Sequence, residues 1–219
     1  MIDLEIWTDE FLNAVNQNFP GRVWFVGLQG SYGRGEATEN SDIDMVVILD
    51  QVSPADLGAY RRMLDGLPHR EKLCGFLSGR EELVSWDPAD LFQLYFDTIP
   101  LSGSLDAIRP LLNGEAVNRA IKMGACNIYH GCVHNMLHGR SEEVLRGLYK
   151  TASFVIQAIC YRRNGVYIRN MTQMRGKLST EDWGIVDTFL AMKQGVFPDF
   201  DEASRRLFVW AGGWIRCQL

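Results

Sequence analysis

The apolar positions of this chain follow two regimes. Over the first hundred residues they come in short blocks separated by breakers. From about residue 115 they recur at helical spacing over long stretches. Thr8-Asp9-Glu10 reads as an N-cap and acidic first turn, predicting a helix to about residue 17, ended by Pro20-Gly21. The β-branched and aromatic run from Val23 predicts a strand over 23–28. Ile43-Asp44-Met45-Val46-Val47-Ile48-Leu49 is nearly continuous in apolar residues and predicts a central strand. A helix over 54–67, a short strand over 73–78 and an apolar helix over 89–96 follow. Residues 99–110 contain Pro, Gly and Ser and read as a connection between two halves. Beyond it the pattern predicts helices over 115–139, 142–163 and 180–193, with a helical tail from 202. Gly165 closes the second of these.

The chain has 219 residues, enough to bury about three quarters of its unfolded surface without disulfide or metal staples. Hydrophobic residues make up 47% and charged residues 22%, which excludes disordered, collagenous and disulfide-scaffold classes. The net charge of −5 argues against non-specific nucleic-acid binding, which needs a basic footprint. Five cysteines, odd in number and without a CxxC pair, read as reduced thiols of a cytoplasmic protein. The acidic N-terminus lacks the apolar core of a signal peptide. The longest stretch free of Asp, Glu, Lys and Arg, residues 123–139, carries two asparagines and three histidines, so no membrane association is expected.

One segment concentrates chemistry. Gly30-Ser31-Tyr32-Gly33-Arg34-Gly35 is followed, six residues on, by Asp42-Ile43-Asp44 at the start of the central strand. Strand periodicity points Asp42 and Asp44 the same way and Ile43 into the core. Two adjacent carboxylates repel unless a cation lies between them, and Mg²⁺ bridges such pairs while taking substrate phosphates into its shell. The glycines allow backbone N–H groups to approach an anion. Ser31 has a hydroxyl to donate to a phosphate, and Arg34 carries a neutralising charge. Asn40-Ser41 supplies turn chemistry ahead of Asp42.

This order of parts resembles the signature of the DNA polymerase β-type nucleotidyltransferase superfamily, in particular its minimal members and the aminoglycoside and lincosamide nucleotidyltransferases. The resemblance covers about twenty residues. It implies an α+β chain: a nucleotidyltransferase fold, with a short mixed β-sheet and flanking helices, followed by a C-terminal helical bundle. Residues 1–105 would form the catalytic domain, and residues 106–219 a substrate-binding or dimerisation domain. It further implies transfer of a nucleoside monophosphate from ATP or another NTP to a hydroxyl of a small acceptor, resembling antibiotic modification. Two Mg²⁺ ions would sit on Asp42 and Asp44, and Gly30, Ser31 and Arg34 would hold the phosphates. A homodimer is suggested by the same relatives. The alternative implied is a nucleotide- or partner-binding module of the antitoxin-like type, with little or no turnover.

The sequence departs from that pattern in one respect. The superfamily places a third carboxylate on the next strand, and Leu73-Cys74-Gly75-Phe76-Leu77-Ser78 holds no acid. Glu81 or Glu82 is a candidate to replace it, or the position is vacant at Cys74. The helical half offers another proton acceptor: His130, His134 and His138 recur every four residues on one face, extended by Cys126. Imidazole has the right intrinsic pKa to take a proton from a hydroxyl near neutral pH, and His134 is the candidate base. The other reading of this stripe is a polar seam at an interface. Lys150, with Arg146, is a candidate contact for the triphosphate. Asp87, Asp90 and Asp97 read either as an acidic lining for a cationic acceptor or as a solvated helix face.

Overall fold

The computed structural model describes residues 2–39 and 41–219. The chain divides into two compact units. The first comprises the residues up to Asp87 together with Leu94–Leu111, and the second Pro88–Gln93 together with Leu112–Leu219.

The first unit is built on a mixed four-stranded sheet of order β3-β2-β1-β4, with β1 at Val23–Gln29, β2 at Ile43–Leu49, β3 at Leu73–Gly79 and β4 at Ile99–Gly103. β1 runs antiparallel to both β2 and β4, and β2 runs parallel to β3. A parallel pair needs a crossover, and helix α3, Pro54–Asp65, provides it. Helix α1, Leu4–Asn18, lines up Trp7, Phe11 and Val15 at helical spacing. These join Ile43, Met45, Val47 and Leu49 in one core cluster on one face of the sheet. Alternation puts Asp44, Val46 and Ile48 on the opposite face, and Val46 and Ile48 are fully buried there. β2 is thus buried on both faces, the reason its sequence reads as an unbroken apolar run.

Two expectations change in this unit. Asp3, not Thr8, caps α1: its side chain accepts from the Ile6 amide. Thr8 lies within the helix with its hydroxyl bonded back to the Leu4 and Glu5 carbonyls, since an N-cap hydroxyl must face free amides and those at Thr8 are already inside the first turn. Residues 99–110 are not an irregular connection. Ile99–Gly103 is β4, an edge strand that tolerates Pro100 because its outer side needs no donor. A 3₁₀ helix follows at Asp106–Leu111.

The second unit holds four long helices: α6 at Gly114–His134, α7 at Glu142–Asn164, α8 at Thr180–Lys193 and α9 at Phe200–Arg216. The last turn of α6 widens into a π-helix over Asn135–Gly139, so the expected helix to residue 139 changes its hydrogen bonding at its end. Buried Asn135 causes the change to be tolerated. Its amide donates to the Ser141 carbonyl and its Oδ1 accepts from the Ser141 amide, both at 2.9 Å, which stitches α6 to α7. Fully buried Tyr149 on α7 donates its hydroxyl to the Ala203 carbonyl of α9.

α3 begins with a capping box in which Ser53 and Asp56 bond reciprocally. Arg22 donates to Asp56 at 2.6 Å and to Asp50 at 3.0 Å. The Arg22 bond, then those from Ser53, hold the Asp56 carboxyl well below the usual carboxylate range. A depressed folded-state pKa contributes stability that is present above the unfolded value, about 3.9, and is lost as pH falls through the folded one. Asp56→Asn removes that contribution. The difference in urea midpoint between the native protein and this variant should therefore shrink steadily from pH 5 to pH 2, and a constant difference would contradict the assignment.

Candidate active site

The sequence motif assembles where β1 leaves the sheet. After Gln29 the chain enters α2, a single helical turn over Gly30–Gly33, rather than the open glycine turn expected. Gln29 pairs with Asp44 across the β1–β2 ladder. Gly30 therefore begins its turn directly over the Asp44 side chain. Its φ of +70° is a left-handed conformation that favours glycine. A Cβ at this position would also overlap an oxygen of the Asp44 carboxylate. Glycine is required twice over, once by the backbone angle and once by the closeness of the acid.

Asp42 lies just before β2 and is exposed, whereas Asp44, the second residue of the strand, is half-buried. Ser31 is half-buried in α2. Between the turn and the strand, the Ser41 hydroxyl accepts from the Thr38 amide at 2.8 Å, and the Ser41 amide donates back to the Thr38 carbonyl. This closes a small turn that delivers Asp42; Asn40 lies outside the described residues.

Arg34 is the enclosed member of the motif. Its guanidinium is buried, donating to Asp97 at 2.6 Å and to Glu36 at 3.4 Å. The Arg34 and Asp97 side chains are only 7% and 2% exposed. A cation so enclosed is held in an ion pair, and Arg34 clamps the end of α2 to helix α5, Pro88–Asp97. The same contact removes Asp97 from any acidic lining. Nothing in the local sequence links residues 34 and 97, and the one available hint was a motif arginine beside a turn that its own helix end has to hold.

Strand register decides between the candidates for a third acid. Asp44 pairs with Cys74 in the parallel β2–β3 ladder, and partners in a ladder share a face. Cys74 is exposed there. Glu81 and Glu82 sit on helix α4, Arg80–Val84, which follows Gly79, and Gly79 pairs with Leu49 at the other end of β2. Five strand residues separate the two ends, roughly 16 Å. Both glutamates lie past the wrong end of the sheet, and the residue beside Asp44 is Cys74. Gly75 follows because the Met45 backbone crosses its Cα so closely that a Cβ would overlap it.

The remaining candidates belong to the second unit. His134 ends α6 and is exposed, as are Cys126, His130 and His138. The His134 and His138 rings meet edge-on with centroids 5.1 Å apart. Lys150 is exposed on α7, while the Arg146 guanidinium lies 5.9 Å from the Phe197 ring.

Residues 8–99 match the sequence model of the nucleotidyltransferase domain. Over 41 residues the chain is 46% identical to a protein of Methanocaldococcus jannaschii named as a protein adenylyltransferase. That stretch is 19% of this chain, and the chain spans only 41% of the length of that relative. Among solved structures, spectinomycin adenyltransferase AAD(9) from Enterococcus faecialis, determined with ATP and spectinomycin, aligns with a TM-score of 0.53 at 13% identity. The alignment covers 93% of this chain and 98% of that one, a likeness of fold. A toxin–antitoxin crystal structure with AMP-PNP aligns at a TM-score of 0.37 and 19% identity, covering 53% of this chain and 89% of the other.

Removing Arg34 separates the clamp from a phosphate-binding role. Arg34→Met removes one member of a buried ion pair and should cost about 3 kcal/mol of stability. Thermal unfolding without any nucleotide reads this directly. An unchanged melting temperature, with only nucleotide affinity lost, would return Arg34 to the phosphates.

Proposed function

We propose, from the premise that residues 8–99 form a nucleotidyltransferase domain, that this protein transfers AMP from ATP to a hydroxyl of a small acceptor. The observation that carries the reading is the seating of Gly30 against the Asp44 carboxylate. It supports a site in which a phosphate chain lying on the Gly30-Ser31 backbone reaches the two aspartates without an intervening side chain.

Asp42 and Asp44 would hold the magnesium ions. The donor set fits: two hard carboxylate oxygens on one strand edge, one exposed and one half-buried. Among the described residues no three His, Cys, Asp or Glu side chains gather closely enough to hold a metal. The rest of each octahedron is therefore left to phosphate oxygens and water, as Mg²⁺ prefers. When bound, the ions supply Lewis acidity and neutralise charge on the triphosphate.

In this reading the Gly30 amide and the Ser31 hydroxyl orient the β- and γ-phosphates. The acceptor oxygen forms a bond to the α-phosphorus as the bond to the bridging oxygen breaks, and pyrophosphate leaves. The hydroxyl proton passes to a neighbouring base or to water. The acceptor we propose is a polyhydroxylated, cationic small molecule of the aminoglycoside or lincosamide kind, met by a chain of net charge −5. We place the protein in a reducing cytoplasm, in keeping with five free cysteines. No helix among the described residues is long and apolar enough to cross a membrane. A homodimer belongs to the same proposal.

Cys74 favours a second reading. A thiol in the position beside Asp44 is a poor ligand for Mg²⁺ and a weaker proton acceptor than a carboxylate. That supports a domain which binds nucleotide with little turnover.

Release of labelled pyrophosphate from ATP, measured over a panel of aminoglycoside and lincosamide acceptors, separates the two. Asp42→Asn with Asp44→Asn should lower release by about 100-fold or more. The same change should leave the metal-free melting temperature unchanged or raised, because it removes a like-charge pair. Undiminished release would refute the metal assignment. Nucleotide binding without release by the native protein, with turnover appearing in Cys74→Asp, would select the second reading.

A further inference from the structure

We infer that the helical unit carries a second binding site, for a small organic anion with a flat apolar body, in a cleft between α8 and α9. The inference is independent of the nucleotide site and does not rest on the reading above.

The cleft has a volume of about 730 Å³, within the range of small-molecule sites. Its apolar wall is made by Trp210 and Trp214, one turn apart on α9, with Ile185 of α8. Both indoles are held by one buried carboxylate. Asp182, 3% exposed, accepts from the Trp210 indole N–H at 2.9 Å and from that of Trp214 at 3.3 Å through the same oxygen. Its other oxygen accepts from Arg163 at 2.9 Å and from the Ser179 hydroxyl at 2.7 Å. Arg163 also lies over the Trp214 ring, 5.4 Å from its centroid.

Three consequences follow from this hub. The indole rings are fixed in place, so the wall exists before a ligand arrives. Their N–H groups are already used, so they offer faces and edges to an occupant and no hydrogen bonds. The Asp182 charge is also consumed, by Arg163 and three further donors, so it does not repel an anion in the cleft.

The space itself comes from missing side chains. Gly184 on α8 and Gly213 on α9 both line the cleft, and a Cβ at either would meet nothing within 4 Å. Neither has a positive φ, so backbone geometry does not demand glycine at these positions. Helix interiors disfavour glycine by about 1 kcal/mol relative to alanine, so two such residues facing one cleft are a cost that open room explains.

Charge sets the polarity of the occupant. Arginines outnumber carboxylates three to two among the lining residues, and Asp182 is already saturated. Arg206 and Arg216 remain at the rim against Glu181, although Arg206 also reaches Glu202 at 3.2 Å. A planar apolar group against the indoles, with one sulfonate, carboxylate or phosphate toward the two rim arginines, matches this arrangement.

The probe is 8-anilinonaphthalene-1-sulfonate, titrated into the native full-length chain with fluorescence of the dye and quenching of tryptophan as readouts. One equivalent should bind. Gly213→Leu and Gly184→Leu fill the cleft from opposite walls and should each weaken binding about tenfold or more while leaving the melting temperature unchanged or raised. Arg206→Ala with Arg216→Ala should weaken the sulfonate about tenfold and change binding of the neutral N-phenyl-1-naphthylamine less than about twofold. The proposal is overturned if dye does not bind, if it binds at several equivalents, if both leucine variants that retain the native circular dichroism spectrum bind it undiminished, or if the neutral amine loses as much as the sulfonate. Should either leucine variant fail to fold, the arginine pair and the other leucine decide.

Discussion

β2 is buried on both faces from Met45 to Leu49, and the first unit is arranged around that burial. A strand with one wet face can slip in register at modest cost. A strand with two dry faces cannot, because a one-residue shift would carry Asp44 to the face packed under α1. The apolar run thus fixes where its two leading acids emerge. It also fixes what flanks them: Gln29 and the start of α2 on one side, Cys74 on the other. The position of Asp44 at the end of this strand depends on the dryness of the five residues behind it.

Around that strand end the protein handles charge in two contrasting ways. Asp42 is exposed and Asp44 half-buried. Arg34, Glu36 and Asp97 form an enclosed group that holds the end of α2 against α5. A glycine-rich turn beside an acid is intrinsically soft, so a buried ionic clamp one residue beyond it gives the turn a fixed position from which its amides can act.

The helical unit repeats the logic with a different purpose. Ser179 caps α8 and donates its hydroxyl to the Asp182 carboxylate, which also ties together Arg163 of α7 and both indoles of α9. One buried carboxylate therefore fixes the relative placement of three helices. It does so with directional bonds, which apolar packing between helices does not supply. The wall so formed is rigid, flat and without free donors, and it borders open space left by two glycines.

Much of this was legible in the order of residues. The apolar run 43–49, the glycine-rich segment ahead of it and the helical spacing beyond residue 115 each report a local period, and local periods survive in sequence because they arise from backbone geometry. The family signature was likewise contiguous, and its fold and nucleotidyltransferase domain are found. Long-range pairing was not legible. Arg34 pairs with Asp97, 63 residues away, which no local pattern announces. Glu81 and Glu82 looked near the metals because they are near β3 in sequence, and only the direction of a parallel strand puts them at its far end. Residues 99–110 looked like a linker, since Pro and Gly are read as breakers until an edge strand gives them a place. The chain by itself determined the long helices, the first three strands and which acids lead the central strand. The tertiary structure decided which charges are spent on each other and which remain available, because that depends on burial and register, quantities that belong to no single stretch of the chain.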